Sequence, residues 1–102
     1  MADLNLDEMT AVIRDKVGVN CGLNANAKIA FDDGSVIFIH GKTNPNSVTN
    51  DDSPADVTLK MSLATMNKLH RKETNATMSV MMGKIKIDGN MMLAMQLDKI
   101  LS

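Results

Sequence analysis

The sequence predicts an α+β domain whose elements run α-β-β-β-β-α-α-β-α. Three observations carry this. An apolar stripe with helical spacing opens the chain at Leu6. Four short runs of alternating or continuous apolar character follow, separated by turn residues. The stretch Met78–Leu101 then reads as a helical turn, a strand and a last helix. Period 3.6 and period 2 are the signatures of half-buried helices and strands.

The first helix starts at Asn5, which can cap it, with Glu8 placed three residues on to complete a capping box. Leu6, Met9, Ile13 and Val17 form its stripe, and Gly18 supplies the stop. The stripe is expected to pack on a sheet. A membrane-docking role is disfavoured because the polar face mixes Asp7, Glu8 and Asp15 with Arg14 and Lys16. Leu23–Phe31 alternates as a first strand, and Asp32-Asp33-Gly34 turns it into a hairpin. The return strand, Val36–His40, is apolar on both faces apart from His40 and belongs in the sheet interior. Asn44-Pro45-Asn46 turns the chain again. The short, polar Ser47–Asn50 suits an edge, and Val57–Met61 alternates as a fourth strand.

Ser62 caps a helix bearing Leu63, Met66, Leu69 and His70. Asn75 starts a second short helix that ends at Gly83. Lys84–Asp88 alternates around Ile85 and Ile87 as the fifth strand. Asn90 caps the last helix. Its stripe of Leu93, Leu97, Ile100 and Leu101 is widened by Met91, Ala94 and Met95, so it needs more than one surface to bury against.

At 102 residues the chain is one domain, residues 1–102, with a single core. A net charge of −1 creates no field for nucleic acid, and none is expected as a partner. The lone cysteine, Cys21, cannot form an intramolecular disulfide. Residues 1–17 lack the pattern of a signal peptide, no run is long enough to span a membrane, and the chain does not end in Ser-Lys-Leu. A cytoplasmic protein is the expectation.

Enzymatic chemistry finds little material. His40 and His70 are the only histidines, and Cys21 beside Gly22 carries no nucleophile signature. Asp51-Asp52 lacks the further oxygen ligands of a calcium loop and reads as a solvated turn. There is no phosphate-cradling loop and no metal-ligand spacing, so neither cofactor nor metal is expected and the chain is not expected to be an enzyme. The unusual feature is methionine. Eight of the ten lie between Met61 and Met95, while Trp and Tyr are absent. Methionine fills irregular space and re-packs around different contents. Met66, Leu69, Met78, Met81, Met82, Met91 and Met95 are therefore candidate walls of an adaptable apolar site.

Three runs carry a family likeness. They are Ala55-Asp56-Val57-Thr58-Leu59-Lys60-Met61-Ser62, then Met82-Gly83-Lys84-Ile85-Lys86-Ile87-Asp88-Gly89-Asn90-Met91, then Leu93-Ala94-Met95-Gln96-Leu97. Together they resemble the sterol carrier protein-2 domain, in its free-standing bacterial form. The likeness covers the whole length and is strongest over Ala55–Leu101. It implies a five-stranded mixed sheet of order 3-2-1-4-5 covered by helices, with a hydrophobic tunnel between sheet and helices. It also implies non-enzymatic binding and intracellular transfer of lipids: fatty acids, fatty acyl-CoA, phospholipids or sterol-like molecules. Ile85 joins the expected tunnel lining on this basis, and Phe38 and Leu59 are expected to close its sheet side. Lys68, Arg71, Lys72, Lys84 and Lys86 are the candidates for meeting a head group. Transient membrane contact fits such a carrier; no oligomeric state is specified.

The chain departs from the family pattern at His70-Arg71-Lys72-Glu73-Thr74-Asn75, where glycine-lysine-leucine and a proline are usual, and at Met78, where an aromatic is common. Both changes fall where the cavity mouth is expected. The alternative reading is a protein-interaction or accessory module of the same fold with a collapsed cavity.

Overall fold

The computed structural model describes residues 3–101, with the side chain of Leu101 left out. Its elements are α1 (Leu6–Val17), β1 (Asn26–Phe31), β2 (Val36–His40), β3 (Ser47–Thr49), β4 (Val57–Met61), α2 (Leu63–His70), α3 (Ala76–Met81), β5 (Lys86–Gly89) and α4 (Met91–Leu101). The strands form one mixed sheet of order β3-β2-β1-β4-β5, as the sequence led us to expect. β1 and β4 run parallel at its centre and every other pair is antiparallel.

Register assigns the faces. Ala27 pairs with Ile39 and Val57, Ile29 with Ile37 and Leu59, and Phe31 with Met61. These residues share the face that carries the core, together with Met9, Ile13 and Val17 of α1. α1 packs on β3, α4 packs on β4 and β5, and the two helices meet. The other face holds Lys28, paired with Phe38 and Thr58, and Lys60, paired with Lys86. Asp52 in the β3–β4 connection reaches Lys28 Nζ at 2.9 Å, so this connection passes behind the sheet.

The caps are local chemistry. Asn5 Oδ1 accepts from the Glu8 amide at 2.8 Å while Glu8 Oε1 accepts from the Asn5 amide at 3.0 Å, a complete capping box. Ser62 Oγ accepts from the Thr65 amide at 3.0 Å, Asn75 Oδ1 from Met78 at 2.8 Å and Asn90 Oδ1 from Met92 at 2.9 Å.

Two strands start later than the sequence expectation. β1 starts at Asn26 rather than Leu23, because Asn24 takes φ 53° and breaks the extended run. β5 starts at Lys86 rather than Lys84. The amides of Gly83, Lys84 and Ile85 turn back to Val80 and Ser79 carbonyls, at 3.0, 2.8 and 3.3 Å, so they are unavailable to the ladder.

One tie was not visible in the sequence. Asn67 of α2 is 1% exposed; its Oδ1 accepts from the Leu4 amide at 2.8 Å, and its Nδ2 donates to the Leu4 carbonyl at 3.0 Å. It fixes the entry to α1 against α2. Asn67→Ala leaves buried groups unpaired and is expected to lower stability by about 2–3 kcal/mol, measurable by urea denaturation.

Candidate functional site

A cavity of about 910 Å³ lies between the core face of the sheet and the helices. Its floor is Ile29 of β1 with Leu59 and Met61 of β4, and Ile85 and Ile87 continue it toward β5. Val12 and Ile13 of α1 close one side. Met66 and Leu69 of α2, Val80 of α3 and Ala94 of α4 wall the rest. Ile29, Leu59, Met61, Ile85 and Met66 are buried, whereas Met78, Met81, Met91 and Met95 are 52, 82, 55 and 61% exposed. These four methionines line the cavity from its outer side, so it opens to solvent between α3 and α4.

Of the residues expected from the sequence, Leu59, Met66, Leu69, Met78, Met81, Ile85, Met91 and Met95 come together here. Met82 does not. It lines a shallower depression on the outside of α3 with Asn75, Thr77, Met78 and Met81. Phe38 is not in the cavity either. Its register partner is Lys28, which puts it on the back of the sheet. There it is 1% exposed with its ring 4.4 Å from that of His40. A strand apolar on both faces does not reveal which face looks at the helices; only the pairing with β1 does.

The polar groups gather at the rim. Lys16 of α1, Lys99 of α4 and Lys72 of the α2–α3 loop line the cavity, with His70, Glu73 and Asp98. Lys16 and Lys99 were missed from the sequence because Lys16 belongs to the polar face of α1 and Lys99 lies outside the apolar stripe of α4. Of the expected head-group cations, Lys72 alone lines the cavity. Arg71 is engaged by Glu73 and Asp3, which hold its guanidinium above its ordinary pKa. Lys68, Lys84 and Lys86 face outward and are exposed.

Such a site offers apolar burial with cationic and hydrogen-bonding groups at one boundary. Its volume falls in the usual range of small-molecule pockets. It is poor in catalytic groups. His40 lies behind the sheet, 3.1 Å from Thr49 Oγ1, so His70 alone of the histidines reaches the cavity. Among the described residues no group of three His, Cys, Asp or Glu side chains could hold a metal ion, and no helix is long and apolar enough to cross a membrane.

The SCP-2 sterol transfer family matches residues 22–102. Solved structures share the fold. Sterol carrier protein 2 of Yarrowia lipolytica, in its apo form, superposes with a TM-score of 0.72 at 25% identity, covering 91% of this chain and 86% of that one. The sterol carrier protein domain 2 of Helicoverpa armigera gives 0.73 at 22% identity, covering 99% and 92%. Palmitated SCP2L2 of Aedes aegypti gives 0.71 at 19% identity, covering 96% and 95%. No curated protein sequence matches the chain. With the family matched over most of its length and the sheet order and helices of sterol carrier protein structures, the chain belongs to the SCP-2 sterol transfer family, a fold that serves lipid binding or transfer.

Proposed function

We propose that the protein is a non-enzymatic lipid carrier that holds an acyl chain in the cavity between sheet and helices. The observation that carries this is the cavity itself: about 910 Å³, floored by aliphatic side chains and walled by methionines. Burying an acyl chain is worth up to roughly 0.8 kcal/mol per CH₂, so a long chain supplies on the order of 10 kcal/mol. That exceeds association costs starting near 4 kcal/mol, and no charged anchor is required. Ligands in range are fatty acids, fatty acyl-CoA, phospholipids and sterol-like molecules, because unbranched thioether walls accept many shapes. Lys16, Lys72 and Lys99 would meet an anionic head group at the rim. The palmitated Aedes aegypti relative gives a precedent in the fold for a long-chain acyl ligand. Cys21, with no cysteine partner, suits a reducing compartment such as the cytoplasm.

Native mass spectrometry of the purified protein tests the reading. The expected result is an adduct of a few hundred daltons that extracts as lipid, or uptake of added palmitate or acyl-CoA. A bare 11.1 kDa species that refuses both would mean a collapsed cavity and favour an interaction module.

A further inference from the structure

Six methionines line the cavity: Met61, Met66, Met78, Met81, Met91 and Met95. No other residue of its lining is an easy electron donor. Cys21 and both phenylalanines lie outside the lining, and the chain has neither Trp nor Tyr. A thioether packs like an aliphatic chain, but peroxides oxidise its sulfur to a sulfoxide. Leucine would supply a comparable apolar volume without that reactivity.

Burial divides the methionines by the side from which they are reached. Met61 and Met66 are 3% and 5% exposed, so the cavity reaches their sulfurs and bulk water hardly does. Met82 and Met92 are 63% and 70% exposed and take no part in the cavity wall. Met78, Met81, Met91 and Met95 line the cavity and are also exposed. An oxidant dissolved in water and an oxidant carried in by the cargo therefore mark different residues.

We propose that the cavity methionines reduce hydroperoxide groups on a bound acyl chain, one sulfur for each peroxide. The inference rests on the acyl-carrier reading above. A sulfur lone pair attacks the terminal oxygen of the C–O–O–H group. The S–O bond forms as the O–O bond breaks, and the hydroxyl proton passes to the departing alkoxide oxygen. The acyl hydroperoxide becomes an acyl alcohol and the thioether becomes a sulfoxide. Two electrons pass from sulfur to the peroxide, so the balance needs no further reductant. Holding the chain against the sulfur replaces a bimolecular encounter with a local one. The sulfurs stand at several depths, from Met61 on the floor to Met81 at the outer side, and so meet peroxides at different carbons of the chain.

The experiment incubates the protein with linoleic acid hydroperoxide in the presence of a metal chelator, and separately with hydrogen peroxide. Chromatography follows the hydroxy acid and peptide mass spectrometry locates each sulfoxide. With the acyl hydroperoxide, hydroxy acid and sulfoxide are expected in equal amounts. Cavity-lining methionines should react about tenfold or more faster than Met82 and Met92. Excess palmitate should suppress this reaction. With hydrogen peroxide the marks change: Met82 and Met92 react along with the other exposed methionines, Met61 and Met66 are spared, and palmitate leaves Met82 and Met92 unprotected. Native mass spectrometry with unoxidised linoleate reports cargo binding by itself. Linoleate bound while the hydroperoxide survives would overturn the inference and leave the carrier reading standing. So would oxidation of Met82 and Met92 as fast as the lining residues, or a reaction indifferent to palmitate. Uptake of neither acid would overturn both.

Discussion

Leu69→Asp is expected to weaken binding of a fluorescent fatty acid by about a hundredfold or more. Leu69 sits half-buried on the α2 wall, where an acyl chain would lie against it. A carboxylate there must either stay solvated, which keeps the chain out, or be desolvated against hydrocarbon at a cost of several kcal/mol. Met81→Asp is the informative partner. Met81 lines the same cavity but is 82% exposed, so its carboxylate can turn to water and the loss should stay below about tenfold. Circular dichroism and urea denaturation of both variants would show whether the fold is kept. Equal affinities in two folded variants would contradict acyl-chain burial along α2 and leave the carrier reading without its site.

Gly89→Ala is expected to cost about 3 kcal/mol of stability or more, and Gly83→Ala only about 1 kcal/mol. Both glycines have positive φ, 109° at Gly89 and 75° at Gly83. Their surroundings differ. A Cβ at Gly89 would stand 2.5 Å from the Asp56 carbonyl oxygen and 3.1 Å from Val57 Cα, backbone atoms of the neighbouring strand that cannot move aside. A Cβ at Gly83 meets nothing within 4 Å, leaving only the conformational penalty. Gly89 also joins β5 to α4 while Asn90 donates its amide to the Asp56 carbonyl at 3.4 Å. Displacing it would move the helix that walls the cavity. Denaturant midpoints of the two variants, measured side by side, check the ranking, and similar midpoints would refute the steric argument.

The comparison of the two glycines also shows how far the sequence could be read. Both stand in the Met82–Met91 run that carries the family likeness, Gly83 as a helix stop and Gly89 just before the Asn90 cap. That one break also abuts another strand's backbone was not legible, because Asp56 is distant in sequence and near only through the β4–β5 pairing. The cavity divides in the same way. Met66 and Leu69, four methionines of α3 and α4, Leu59 and Ile85 could be gathered from apolar spacing and family likeness. Ile13 and Lys16 could not, since the first four strands separate α1 from the other helical walls in sequence. Asn67 stands out only once Leu4 is placed against it.

What depends on near neighbours was legible in the chain: the caps at Asn5, Ser62, Asn75 and Asn90, the hairpin turn at Asp32-Asp33-Gly34, and the alternation that marks one strand ending at Phe31 and another over Val57–Met61. Hydrogen bonds three residues apart and side chains two apart need no knowledge of the rest of the chain. The tertiary structure alone decided sidedness and depth. It put Phe38 behind the sheet through its pairing with Lys28, and it left Met82 and Met92 in solvent while burying Met9 and Met66. Methionines of equal hydrophobicity are sorted only by which surface arrives to cover them, and that is set by packing between elements far apart in the chain.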